Sequence, residues 1–382
     1  MNDRSAPAPD LAGPDYTAGS LSALMPSVLA SLGVPGEPNP LDLPPVRRAC
    51  VLVVDGMGWE PLLAHRAHAP FLSDLLDSAA PITAGFPTTT ATSLTSLGTG
   101  LAPGHHGVVG YQVALPGTDR LFNHLLWRDE VDPLVWQPHA TVYERAERAG
   151  VRTAYVADGS YEGSGLSVAL ARGSTYVPAA TITELAVRAG ASLAAHDRAL
   201  VLVYHPLLDG YGHRYGIGSA YWRAELGQVD RLAEQVAAAL PPDSALYITA
   251  DHGMVDVGEA DRVDVETPAG FRAGVRVLAG EARVRQVYTR EGAAEDTAAA
   301  WGELLGDRAR VLLREEAVAE GLFGGVEDRV GPRIGDVLAV ARGTTVLLAP
   351  ELEPGPSRFV GHHGSLTTAE LNVPLLRVTT VA

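Results

Sequence analysis

The sequence predicts an α/β fold, a mostly parallel central sheet with helices on both faces, and three observations carry that reading. Continuous apolar runs recur at 49–54, 152–157, 199–204 and 245–250. Strands buried on both faces lose the in–out alternation of a half-exposed sheet and read as such runs. Segments with helical spacing lie between them, at 140–149, 182–195 and 221–240, as crossovers between parallel strands require. Polar clusters follow several of the runs directly, the arrangement of open α/β sheets that bind ligands beyond the carboxyl ends of their strands.

Before the first core strand, residues 1–18 are rich in Pro, Ala, Asp and Gly and are expected to be flexible. Residues 20–32 have helical spacing with Ser20 as the expected cap, and a Pro-rich connector covers 35–45. After Asp251 the texture changes. Short strand-like runs at 275–278, 285–288 and 310–313, with two short helices, predict a small α+β insertion or cap. The expected division is an N-terminal tail, helix and linker (1–45), a core made of 46–261 and 346–382, and the insertion (262–345). The insertion is expected to shape the leaving-group pocket. The chain returns through 346–348 to Gly361-His362-His363-Gly364 and a closing apolar stretch at 373–376.

At 382 residues with 46% hydrophobic and 19% charged residues, the composition is that of a globular protein. The net charge of -16 argues against nonspecific nucleic-acid binding, which needs a basic stripe to displace counterions. It does not exclude an anionic substrate, since bound cations reverse a local potential. The basic residues are all Arg, which reads as compositional bias. The single cysteine, Cys50, excludes an internal disulfide and reads as a buried thiol. No signal-peptide pattern opens the sequence, and no apolar run approaches the ~20 residues of a membrane span. The expectation is a cytoplasmic protein with no membrane or nucleic-acid partner; the oligomeric state is not legible.

Four polar clusters stand where a site is expected: Asp55 after the first apolar run, Asp209-Gly210-Tyr211-Gly212-His213, Asp251-His252-Gly253, and His362-His363. Each has a plain alternative. Asp-Gly is a common turn, Asp209 and His213 four residues apart make either a chelating pair or a surface pair, and His362-His363 would suit an exposed loop. Together, three Asp and three His supply mixed O/N donors suited to two divalent ions, Zn²⁺ first and Mn²⁺ second. Two such ions can clamp an in-line displacement at phosphorus. The run Phe86-Pro87-Thr88-Thr89-Thr90-Ala91-Thr92-Ser93 leads into an expected helix ending near Gly100. It places hydroxyls at a helix N-terminus, where an anion is stabilised. The residues alone do not choose among Thr88, Thr89, Thr90 and Thr92.

The motifs VLVVDGMG, FPTTTATSLTSLGTGLAPGHHGVVGY, DGYGHRYG, DHGM and GHHGSL, in this order, resemble the nucleotide pyrophosphatase/phosphodiesterase branch of the alkaline phosphatase superfamily. The resemblance spans roughly residues 48–256 and 360–376. The family's nucleophilic Thr lies nine residues before the Thr of Thr-Gly-Leu; counted from Thr99-Gly100-Leu101, that is Thr90. The resemblance also implies one metal on Asp55, Thr90, Asp251 and His252, and another on Asp209, His213 and His363. There are two departures. Ser93 ends the stretch where the family commonly has Thr-Phe-Pro-Asn, and Tyr111 stands where the family has a phosphate-binding Asn. Ser93, Tyr111 and Tyr211 are the candidate substrate contacts, Trp127 and Tyr211 being aromatics that could stack a base. His106 matches a family His that is not a ligand and reads as structural.

The implied reaction is hydrolysis of a phosphodiester or pyrophosphate bond, on a small nucleotide-like substrate, through a phosphothreonine. A monoester carries an extra charge that asks for a further cation, and no Arg occurs between Arg66 and Arg120; a more distant one, such as Arg214, would have to fold in. The sulfatase motif is absent. A metal-dependent phosphomonoesterase or phosphonate hydrolase is the alternative enzyme, and a non-catalytic binding member the alternative outside enzymology.

Overall fold

The apolar runs become strands, and their polar sequels become the loops at one end of a sheet. In a computed structural model, residues 11–17, 19–128 and 131–381 are described. In chain order the principal strands are β1 (Arg48–Val54), β2 (Arg152–Ala157), β3 (Thr175–Pro178), β4 (Ala199–His205), β5 (Ser244–Thr249), β6 (Val275–Glu281), β7 (Val284–Thr289), β8 (Ala309–Leu313), β9 (Val337–Ala341) and β10 (Leu376–Thr379). The central sheet has the order β10-β5-β1-β4-β2-β3. Its strands are parallel except β10, which runs antiparallel along β5. Every residue of β4 and β5 is buried, the environment that their unbroken apolar sequences require.

The principal helices are α1 (Leu21–Ser31), α2 (Thr90–Thr99), α3 (Val142–Arg148), α4 (Gly165–Ala171), α5 (Ile182–Ala194), α6 (Leu207–Tyr215), α7 (Ala220–Ala238) and α8 (Ala294–Leu305). Two helical groups cover the central sheet: α1, α2, α3 and α4 pack together, and α5, α6 and α7 pack together. Thr141 with Glu144, and Thr181 with Glu184, form capping boxes that start α3 and α5. Each such cap is worth about 1 kcal/mol. Ser20 precedes α1, but its hydroxyl pairs with Ser22 Oγ at 2.8 Å instead of capping the helix.

The expected flexible tail is corrected where it is described. Residues 1–10 and 18 lie outside the described residues, but 11–17 lie against the body. The Ala12 N–H donates to the Leu366 carbonyl (2.9 Å), and the Tyr16 hydroxyl donates to the Leu322 carbonyl (2.8 Å) and accepts from the Phe86 N–H (3.0 Å). Among the described residues no helix is long and apolar enough to cross a membrane.

The segment after β5 forms a second, antiparallel sheet of order β6-β7-β9-β8. Sequence reading had no strand at β9, the one that joins β7 to β8. Alternate residues of β9 face two cores: Leu338 and Val340 join the main core, while Val337, Ala339 and Ala341 pack with Trp301 and Leu305 of α8. Arg262–Asp264 and Val346–Leu348 pair in parallel, so the chain leaves and returns side by side. The closing stretch also differs from expectation: Asn372–Pro374 pairs with Pro81–Thr83, and the sheet edge is β10 just beyond it.

Candidate metal-binding active site

Three neighbouring strands of the central sheet deliver the site. Asp55 directly follows β1, Asp209 lies in the first turn of α6 after β4, and Asp251 and His252 follow β5. Gly56 lets the first two segments meet. Its φ is 71°, and a Cβ there would lie 3.0 Å from Asp209 Cα, so a side chain would hold the two aspartates apart. His213 sits one helical turn beyond Asp209, with Nε2 3.2 Å from Asp209 Oδ2. His363 comes from the strap after the second sheet, its Nε2 3.8 Å from Asp209 Oδ1.

Two sets of donor atoms result: Asp55, Asp251 and His252, and Asp209, His213 and His363. His252 Nε2 lies 3.4 Å from Asp55 Oδ1 and 3.5 Å from Asp251 Oδ2. All three imidazoles are set the same way. Nδ1 of His252, His213 and His363 contacts the carbonyls of Gly253 (2.9 Å), Gly361 (2.8 Å) and Thr88 (2.8 Å). A carbonyl only accepts, so each Nδ1 carries the proton and each Nε2 turns a lone pair toward the carboxylates, as metal-ligating histidines do. His362 is oriented elsewhere, with Nε2 against the Phe359 carbonyl at 3.2 Å.

The electrostatics fit cations. Asp55 Oδ1, Asp209 Oδ1 and Asp251 Oδ2 are buried and have no hydrogen-bond partner among the described residues. Buried, unpaired carboxylates are costly. Burial, then Asp251 and Asp209, push the Asp55 carboxyl well above its ordinary range, and burial also pushes Asp251 up. Burial raises Asp209 too, but His213, and then His363 and His252, outweigh it and hold the carboxyl below its ordinary range. Burial and the adjacent His252 hold His363 well below the usual imidazole range. Those two rings stack with centroids 3.6 Å apart. Imidazole Nε2 atoms turned toward bare carboxylate oxygens make a donor set suited to divalent ions such as zinc.

Thr90 is the first residue of α2, and its Oγ1 lies 3.3 Å from His252 Nε2 and 3.5 Å from Asp55 Oδ2. The first-turn amides of a helix lack intrahelical acceptors, so α2 offers donors and the positive end of its dipole where Thr90 stands. Thr88 is turned away: it is fully buried, and its hydroxyl donates to the Ser365 carbonyl at 2.8 Å. Gly100, with φ 71°, ends the helix.

A cavity of about 800 Å³ opens on Asp55, Thr90 and Asp209. Its outer wall is Leu125, Leu126, Trp127 and Arg128 facing Ser160, Tyr161 and Ser164, with Tyr204 beside the carboxylates. The three candidate substrate contacts are not in this wall. Ser93 is fully buried and its hydroxyl has no partner among the described residues. The Tyr111 hydroxyl donates to Glu353 (3.1 Å), and Tyr211 stacks on Tyr215. Trp127 reaches the cavity but is 1% exposed, its indole N–H donated to the Val131 carbonyl (2.8 Å). Nor does the insertion line the cavity among the described residues, contrary to expectation. Arg214 is exposed and does not fold in. His106 is structural as read: Nδ1 accepts from the Val108 N–H, so Nε2 donates to Ser96 Oγ at 3.0 Å. Tyr204 and Tyr161 were missed; the one available signal was a polar-tipped tyrosine at the carboxyl end of an otherwise apolar strand.

The model of the type I phosphodiesterase/nucleotide pyrophosphatase family matches residues 49–366. This chain belongs to that family. The phosphodiesterase fold is alkaline-phosphatase-like, and it is similar to solved relatives along most of its length. Mouse ectonucleotide pyrophosphatase/phosphodiesterase 5, an inactive variant in complex with AMP, has a TM-score of 0.69 at 19% identity, with 86% of this chain and 87% of that chain covered. The human protein of the same name gives 0.67 at 18%, with 87% of each chain covered. Phosphonoacetate hydrolase from Sinorhizobium meliloti 1021 gives 0.65 at 20%, covering 88% and 91%. No curated protein matches.

Proposed function

We propose that this family hydrolase cleaves phosphodiester or pyrophosphate bonds of small, nucleotide-like substrates, with Thr90 as nucleophile. The observation that carries the proposal is the Thr90 hydroxyl, held at a helix N-terminus beside the buried donors Asp55 and His252, in a cavity that also reaches Asp209 of the second donor set. Asp55, Asp251 and His252 would hold one divalent ion with Thr90, and Asp209, His213 and His363 the other, zinc being the first candidate and manganese the second. When bound, such ions supply Lewis acidity at the Thr90 oxygen and at the leaving oxygen. Thr90 Oγ, its proton given up to solvent, bonds to phosphorus as the bond to the leaving oxygen breaks and that oxygen takes a proton from water, giving a phosphothreonine that water hydrolyses in a second displacement. The first-turn amides of α2 bind the non-bridging oxygens.

The cavity supports the substrate class. It presents leucines and an exposed tyrosine beside several serines, a wall suited to a flat aromatic group bearing hydroxyls. AMP bound to the mouse relative agrees with this reading. Thr90→Ala is expected to lower hydrolysis of p-nitrophenyl thymidine monophosphate by about 10³-fold or more, with zinc binding to the other donors retained. A zinc-loaded protein that turns over no diester refutes the proposal. Phosphonate or phosphomonoester hydrolysis is the second reading, favoured by Arg128 as the cation among the described wall residues. Side-by-side turnover of mono- and diesters decides between them.

A further inference from the structure

We infer that Tyr204 is a positioning residue for the proposed reaction, fixing which oxygen of Asp55 is offered to the metal. The inference rests on the two-metal reading above.

Asp55 has two chemically distinct oxygens here. Oδ2 accepts the Tyr204 hydroxyl and has Thr90 Oγ1 at 3.5 Å. Oδ1 has no hydrogen-bond partner among the described residues and faces His252 Nε2 at 3.4 Å. An aspartate without such a donor can turn about its Cβ–Cγ bond, present either oxygen or chelate with both. A protonated phenol on Oδ2 removes that freedom and leaves Oδ1 for the cation.

The backbone makes the contact rigid. Tyr204 is the penultimate residue of β4, in register with Val53 of β1, and the Asp55 N–H donates to the carbonyl of the next residue, His205, at 2.9 Å. The two side chains therefore leave adjacent strands at fixed spacing. Tyr204 is 6% exposed, so water does not replace its hydroxyl cheaply.

Tyr204 and Thr90 share Asp55 Oδ2 as acceptor. Tyr204 also forms part of the cavity wall, its ring centroid 6.2 Å from that of Tyr161. A substrate group seated against Tyr161 thus borders the residue that sets the metal ligand.

Tyr204→Phe keeps the ring and deletes the hydroxyl. Zinc affinities of parent and variant are read by competition with a chromogenic chelator, alongside kcat and KM. The expected result is two bound ions in both proteins, one of them held about 10–100-fold more weakly in the variant, with kcat lowered and KM unchanged. Unchanged zinc affinities overturn the inference. So does a raised KM with normal zinc binding, which would make Tyr204 a substrate contact instead. A parent protein that binds fewer than two ions overturns the two-metal reading itself. Should the variant not fold, 3-fluorotyrosine at position 204 keeps ring and hydroxyl while changing donor strength. A change confined to one zinc affinity then supports the inference, and no change overturns it.

Discussion

Individual side chains in this protein are set by partners that the primary structure does not advertise. His124 shows how far that can go. Enclosed by Phe122, Trp127 and Trp136, it accepts the Trp136 indole N–H at Nε2 (3.0 Å), and burial pushes its pKa down to about 3. A histidine kept neutral in the fold contributes stability that is fully present above its unfolded value of 6.5 and is lost as pH falls toward 3. The acid limb of the stability profile is therefore expected to carry a contribution on the order of 5 kcal/mol from His124. His124→Phe should flatten that limb between pH 6 and pH 4, read as urea midpoints against pH, and an unchanged limb refutes the assignment. The candidate site was legible to a similar depth. Most of the candidate ligand residues stand in short motifs directly after strands, and His213 lies one helical turn from Asp209. Ser93 and Tyr111 are not so placed, because the direction of a side chain from a helix or loop follows from tertiary packing and leaves no trace in spacing.

Among the elements, α2 matters most, since it holds Thr90 at one end and must lie close against α4. Gly98 permits that approach: a Cβ there would fall 2.1 Å from the Leu170 carbonyl oxygen. Gly98→Ala should push α2 away from α4, lowering stability by about 1–3 kcal/mol or more. Because Thr90 moves with its helix, kcat should fall too, though position 98 is more than two turns from Thr90. Paired melting and kinetic measurements test this, and a variant with parental Tm and kcat shows that the helix pair has slack. Four of the five parallel strands were read from sequence nearly to their observed bounds, because two-sided burial imposes long apolar runs; the edge strand β3 was not, being short and only partly buried. β9 was passed over although Val337–Ala341 is itself an unbroken apolar run between Gly335-Asp336 and Gly343; at five residues it is shorter than β1 and β4. The cavity wall escaped for a different reason: 125–128 and 160–167 are short helical turns and loops with no period to read.

Across the whole molecule, the second sheet is locked to the strap that carries His363. Arg283, at the turn between β6 and β7, pairs with Glu370 through Nε (3.0 Å) and Nη2 (2.7 Å), and both side chains are fully buried. Glu370 also accepts the Ser365 N–H (2.9 Å) and the Thr367 hydroxyl (2.5 Å). Removing one partner leaves an uncompensated buried charge, so Glu370→Gln is expected to cost about 3–5 kcal/mol. The double replacement Arg283→Met with Glu370→Leu should recover much of that loss. Chemical denaturation of the three proteins measures both, and a single variant as stable as the parent shows that the pair is not a clamp. The order of the candidate ligands along the chain has a consequence in time. Asp55, Asp251 and His252 are all present once residue 252 has left the ribosome, whereas the set on Asp209 waits for His363, more than a hundred residues later. During synthesis the two halves of the site therefore become available in sequence, and a chain halted between them has donors for one ion and no means of completing the second.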